Sequence, residues 1–250
     1  MLKGVFRRLA EYGVAFAFLG FIWHLASVLL NKPVLPTPWT ALLKFQELWQ
    51  LSLWKHFLVS CWRVFASLFI SMVTAVPLGL FLGRSAKADR LMAPLVYILY
   101  PIPKSVFLPL IIVFLGLGDA PKIFLITSIL FFQILVAARD AAKGVPQQTL
   151  YSMQSLGANS WQIYRHVIWP SSLPKILTSL RISIGTAIAV LFLAESFASE
   201  EGLGYLIMSS WGRQEPGEMF AAILGMAFLG FAAYILVDLL EKRACHWEKL

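Results

Sequence analysis

Few side chains in this sequence could do chemistry, and most of those stand inside or at the edge of apolar runs. Arg63, Lys104 and Arg181 interrupt such runs, His24 lies in the first of them, and Glu195 ends the fifth. A charge held at mid-membrane depth costs about 3 kcal/mol on insertion scales, so each needs water, a counter-ion or a carbonyl. Lys104 falls in a stretch crowded by Pro94, Pro101, Pro103 and Pro109. It reads either as a positive site on the path of an anion or as an ammonium bonded to carbonyls that Pro101 and Pro103 release, with the second reading favoured. Glu195 reads as closing a gate or pairing with Arg63, or else as a solvated acid at the interface. Arg181 reads as a side chain that snorkels to the cytoplasm, and His24 as one packed on a neighbouring helix. Chemistry of other kinds is excluded. No Gly-x4-Gly-Lys-Ser/Thr phosphate loop is present, so this chain is not expected to hydrolyse ATP itself. Intramembrane acids or histidines do not pair as a proton relay or a metal centre would require. Cys61 and Cys245 lie in unlike settings and form neither a disulfide framework nor a zinc site. No cofactor is implied.

The elements that position these residues follow from hydropathy. Apolar residues make up 59% of the 250 and charged ones 14%, with mean hydropathy +0.74. Soluble domains run nearer 45–50% and about 25%, so the excess must face lipid. Six apolar runs, at residues 13–30, 57–83, 91–117, 123–138, 176–194 and 219–237, predict six transmembrane helices. The prolines predict that the third is broken. The first run follows Lys3, Arg7 and Arg8 but precedes no small-residue cleavage site, and reads as an uncleaved helix. With the N-terminus inside, 13 of the 21 Lys and Arg fall in cytoplasmic connections and 5 outside. This bias predicts that both termini are cytoplasmic. It also accounts for the net charge of +8 without nucleic acid. Gly79 and Gly83 permit close helix approach, within one chain or across a dimer.

One connection is too long to be a simple link. Residues 140–174 are polar, and Leu150, Met153, Leu156, Ile163 and Val167 recur at helical spacings. Gly157 interrupts the pattern, and Pro170 and Pro174 follow it. This predicts two short surface helices with an elbow at Gly157, closed by the prolines. Their apolar stripe requires a partner.

The loop resembles the cytoplasmic motif of permeases of binding-protein-dependent ABC importers. That motif is Glu-Ala-Ala, three residues, Gly, nine residues, Ile, one residue, Leu-Pro. Gly157 and Pro170 keep its spacing, with Val167 in the Ile place; Tyr151, Ser152 and Met153 replace Glu-Ala-Ala, and Trp169 replaces Leu. The resemblance continues through Leu35-Pro36-Thr37-Pro38, Ser60 and Arg63, Pro77-Leu78-Gly79, Pro101-Ile102-Pro103, Gly116-Leu117-Gly118-Asp119, and Glu195 with Gly202-Leu203-Gly204-Tyr205-Leu206. These are similar to the nitrate, sulfonate, taurine and bicarbonate branch. The resemblance implies an all-α polytopic membrane protein with the type I importer permease core. Residues 1–56 would be the first helix and an external connection, 57–241 the permease domain with its coupling loop at 140–174, and 242–250 a cytoplasmic tail. It implies ATPase coupling through Tyr151, Ser152, Met153, Leu156, Gly157, Ala158, Val167, Pro170 and Pro174. Lys104, Glu195, Arg63, Pro101 and Pro103 are candidates for the pathway or its gate. The implied partners are two ABC ATPase subunits, an extracytoplasmic solute-binding protein, a second permease copy and the bilayer of a bacterial or archaeal inner membrane. The implied solute is a small anion of the sulfonate, taurine or nitrate type, with a pyrimidine precursor of thiamine or another heterocycle as the alternative. A secondary transporter would instead show internal repeats and coupling carboxylates, and a membrane enzyme paired catalytic residues.

Overall fold

The structure is a computed structural model that describes the backbone of residues 2–249 and the side chains of 13–247. The side chains of Lys3, Arg7, Arg8 and Lys249, counted in the charge bias, lie outside the described residues. The chain forms α1 (Leu2–Leu30), α2 (Pro38–Leu48), α3 (Trp54–Arg84), α4 (Ala86–Leu99), α5 (Leu108–Leu115), α6 (Asp119–Lys143), α7 (Gln147–Ser155), α8 (Ser160–Ile163), α9 (Trp169–Ser196), α10 (Leu203–Gly212) and α11 (Pro216–Ala244). Among the described residues there is no strand. The expected spans are α1, α3, the bent pair α4–α5, α6, α9 and α11.

The core is a packed row of α3, α6 and α9, with α10 and α11 against it. Glycine sets the spacing of the α3–α6 pair. A Cβ on Gly79 would stand 2.6 Å from the Leu135 carbonyl oxygen, and one on Gly83 2.4 Å from that of Arg139. Ala138 and Ala142 face the two glycines. The small-residue pattern thus serves packing within one chain.

The third span bends by 72° between α4 and α5. Pro101 and Pro103 supply no backbone donor, so the ladder ends with the Tyr100 amide on the Val96 carbonyl, 2.8 Å. A short turn at Lys104–Phe107 restarts it. Pro94 is accommodated inside α4, and Pro109 sits in the first turn of α5.

Two helices lack a counterpart among the expected runs. Pro38, at the first helical position, and Thr37, whose Oγ1 accepts from the Thr40 amide at 3.2 Å, start α2. α2 runs through a wide turn, Trp49–Leu53, straight into α3 and lengthens that helix, whereas α10, at 10 residues, is too short to span; both pack on α11. α1 is peripheral. Trp23 ties it to the connection through Nε1 on the Pro36 carbonyl at 3.0 Å and stacks on Phe220. His24 is exposed on α1, not packed on a neighbouring helix as expected.

The long connection differs from its expected form at one end. α7 and α8 meet at Gly157, but α8 runs through a wide turn, Tyr164–Ile168, straight into α9. Pro170 and Pro174 therefore lie inside a continuous helix and do not close the loop. In the wide turn the Trp169 amide reaches back five residues to the Tyr164 carbonyl. Shifting the ladder before Pro170 lets the helix absorb a residue that would otherwise end it.

Candidate functional site

Four charged side chains gather at one end of the bundle, where α3, α6, α9 and α10 meet. Arg63 reaches from α3 and is 2% exposed; Glu195, near the last turn of α9, is 1% exposed. Arg63 Nη1 donates to Glu195 Oε1 at 2.8 Å and to the Glu201 carbonyl at 2.9 Å. Its Nε donates to Asp119 Oδ1 at 2.8 Å. Ser60 Oγ donates to the Glu195 carboxylate at 2.8–2.9 Å and accepts from the Leu203 amide at 2.8 Å. The Gly204 amide donates to Glu195 Oε2 at 2.8 Å. His56 Nδ1 accepts from the Gly202 amide at 3.1 Å. Side chains of α3 and α9 thus satisfy amides at the start of α10 that have no partner within that helix, and the carboxylate meets the positive end of its dipole. The reading of Glu195 as a solvated acid is corrected: it is a buried ion pair, since each oxygen already has its donors.

Close approach explains the glycines. Gly202 has φ +113°, and a Cβ on it would fall 2.3 Å from the Glu195 carboxyl carbon; one on Gly204 would fall 2.7 Å from Glu195 Cβ. Glu195 and Gly202-Leu203-Gly204 are therefore one structural unit. Lys122, buried beside it, donates to the Gly118 carbonyl at 2.8 Å. Lys122 is one of the five Lys and Arg on the external side of the charge bias, and neither it nor Asp119, the second partner of Arg63, carries a sequence signal for this cluster. Two cations and two carboxylates make the cluster formally neutral. It borders a cavity of about 720 Å³ rimmed by Ser199, Glu200 and Glu201.

Lys104 lies far from this cluster, at the α4–α5 bend. Its Nζ donates to the carbonyls of Leu99 at 2.9 Å, Tyr100 at 3.3 Å and Ile102 at 3.4 Å. Pro103 leaves the Leu99 carbonyl without its helical donor. The ammonium also sits 4.4 Å from the centre of the Phe132 ring. Pro101 and Pro103 form the exposed corner of the bend.

At the opposite end, Arg181 ties α9 to α11 through Glu241 and, at 3.6 Å, Asp238. It is paired and does not snorkel freely. Asp89 joins Arg139 and Lys143, fastening α4 to α6.

The elbow is a helix cap followed by a helix start. Gly157 has φ +79°, the Ala158 amide bonds the Met153 carbonyl at 3.1 Å, and the Gly157 amide bonds that of Gln154 at 2.9 Å. Asn159 and Gln162 then form a reciprocal capping box at α8. The apolar stripe is divided. Leu150, Ile163 and Val167 are buried in the chain's own core, and Met153 and Ala158 pack against it. Tyr151, Ser152, Leu156 and Gly157 are exposed, Leu156 at 81% and Tyr151 at 62%, and Trp161 beside them at 64%. Pro170 and Pro174 are half-buried behind the elbow. The expectation that the whole stripe needs a foreign partner is corrected, because half of it folds onto α9 and its neighbours.

Comparisons with known proteins agree with this architecture. Residues 75–245 match the family model described as the binding-protein-dependent transport system inner membrane component. The chain is 30% identical over 233 residues to the taurine transport system permease protein of Escherichia coli K12, covering 90% of this chain and 85% of that protein. It is 29% identical to a putative aliphatic sulfonates transport permease of Bacillus subtilis 168, covering 91% and 83%. An inward-facing structure of the MetNI methionine ABC transporter superposes with TM-score 0.66 at 20% identity, covering 77% of this chain and 95% of that one. The chain belongs to the binding-protein-dependent inner membrane components, and it is the membrane-spanning translocation subunit of an ATP-binding-cassette importer.

Proposed function

We propose that two copies of this chain enclose one pathway for a small anionic solute, of the sulfonate or taurine type, in a bacterial or archaeal inner membrane. An extracytoplasmic binding protein delivers the solute. Two separate ATPase subunits drive alternating access by binding ATP better in one conformation than the other. Both termini and the 140–174 segment are cytoplasmic, as the Lys and Arg distribution supports. The names of the relatives support the solute class. The ATPases dock on the α7–α8 elbow through Tyr151, Ser152 and Leu156. Met153, Gly157, Ala158, Val167, Pro170 and Pro174 hold that surface in place from behind. Arg63 and Glu195 belong to the outer gate, and Lys104 with Pro101 and Pro103 to the pathway.

The observation that carries this reading is the exposed leucine at a rigidly capped elbow. Leu156 is 81% exposed while its stripe neighbours pack inward. Burying a leucine side chain at an interface is worth about 1.5–3 kcal/mol, and an aspartate there would also have to be desolvated. Leu156→Asp should therefore abolish co-purification of the ATPase, or its coupling to uptake in proteoliposomes, while yield and dimer content stay normal. Met153→Asp is the contrasting variant: it strikes the chain's own core and should lower yield first. Full ATPase binding and full uptake with Leu156→Asp would reject the elbow as the coupling element.

A further inference from the structure

A second polar site lies at mid-depth and is separate from the outer cluster. Beside the α4–α5 bend a cavity of about 220 Å³ is lined by Tyr100, Lys104, Ser105, Ile129, Phe132 and Gln133, with Ile102 and Pro103 at its edge. Gln133 stands about 21 Å along α6 from Asp119 and about 15 Å from Lys143, near the centre of the span. Its Nε2 has only a 3.4 Å contact to Thr186 Oγ1.

The charge in this cavity is not balanced locally. Three carbonyls solvate Lys104 but do not neutralise it, and no carboxylate lines the cavity. Two of those bonds, at 3.3 and 3.4 Å, are long enough for a stronger acceptor to displace. Gln133, Ser105 and Tyr100 add neutral donors around the same space. A cation and a nearly free amide at this depth are not stable against hydrocarbon, so they face water or protein. On α9 beside them, Gly185 and Ala189 are exposed and Thr186 half-exposed, which leaves a small-sided face next to the cavity. A cation would find no acidic ligand here. An oxoanion would find one full charge and several donors for its oxygens.

We propose that this cavity is an anion subsite on the translocation path, in which Lys104 supplies the charge and Gln133 and Ser105 bond the oxoanion headgroup of the solute. Its assignment to the transported solute rests on the anionic-solute reading above.

The test has one arm that needs no knowledge of the solute. With Cys61 and Cys245 replaced by alanine, Gln133→Cys and Ser105→Cys are treated with methanethiosulfonates in the full complex in nanodiscs. One reagent is the anionic sulfonatoethyl and the other the cationic trimethylammonioethyl compound. Relative to a free thiol, the anionic reagent should be favoured at least about tenfold, as expected of a charged cleft. Lys104→Arg should keep that preference and Lys104→Met should remove it. No reaction at either cysteine in any nucleotide state would overturn the proposal, as would a preference that ignores Lys104. The second arm is uptake of ethanesulfonate. Gln133→Leu, which leaves the carbonyl cap of Lys104 intact, should raise KM several-fold while binding-protein-stimulated ATPase persists. Unchanged KM would overturn the role of Gln133. Absence of uptake by the unaltered complex, together with a Lys104-dependent anion preference, would remove the sulfonate reading and keep the anion subsite.

Discussion

Removing Arg63 should destabilise this protein more than removing the charge of either carboxylate it pairs with. Arg63→Met deletes the donor of one fully buried ion pair, one partly exposed pair and one carbonyl bond. The Asp119 arm counts for little, because that side chain is 43% exposed, and such pairs are worth at most about 1 kcal/mol. The Glu195 arm dominates. Its carboxylate has no exposure, so losing Arg63 leaves a buried charge held only by Ser60 and the Gly204 amide. Breaking a buried pair from one side costs about 3–5 kcal/mol. Glu195→Gln is milder. One amide oxygen replaces two carboxylate oxygens, and the new NH2 faces a donor, which costs about 1–3 kcal/mol. The double variant leaves no unpaired carboxylate in the cluster's interior. It should therefore be less destabilised than the sum of the singles by at least about 1.5 kcal/mol. The assay is thermal unfolding in one detergent, read by the fluorescence of the nine tryptophans. At roughly 2–4 °C per kcal/mol for a chain of this size, Arg63→Met should lower Tm by about 6–20 °C. Asp119→Asn should move it by only a few degrees. Additive singles, with coupling below about 0.5 kcal/mol, would refute the reasoning.

The remaining predictions concern backbone contact and topology. Gly202→Ala should prevent accumulation of folded protein, because its Cβ would overlap the Glu195 carboxyl at a φ of +113°; Gly212→Ala, with nothing within 4 Å, should be tolerated, and equal yields would refute the clash. In intact cells, with the native cysteines removed, a membrane-impermeant maleimide should label Glu200→Cys and miss Ser160→Cys, both exposed positions; labelling at 160 would reverse the orientation.

The spans were legible because lipid leaves little choice: a run of about 20 apolar residues must be a helix. The break in the third span was legible because proline acts locally. α10 and the extension of α3 back through α2 were not, since neither length nor apolarity separates packed helix from a connection. The π turn before Pro170 was also hidden. Proline announces a lost hydrogen bond but does not say whether the helix will stop or widen. The fate of the stripe at 150–167 had the same ambiguity. Spacing of three and four shows that one face is covered, and it cannot say by what. Leu150 and Val167 turned inward, and Leu156 stayed out.

The Arg63–Glu195 cluster shows most clearly where reading along the chain fails. Glu195 and Gly202-Leu203-Gly204 are near neighbours in sequence, yet nothing in that string says that the glycines exist for the glutamate. The reason is visible only when the carboxylate occupies the space in which a Cβ would stand. Ser60 and Asp119 are remote from it in sequence, and each alone is an ordinary polar residue. Their role depends on α3, α6 and α9 packing side by side, which Gly79 and Gly83 allow. A charge cluster of this kind is a product of packing. Its stability cannot exceed the rigidity of the helices that present it. Gly83 lies about 30 Å along α3 from Arg63, so Gly83→Val should open the α3–α6 contact against Arg139 and Ala142 and lower Tm, while Arg63→Met and Gly83→Val should add within about 0.5 kcal/mol.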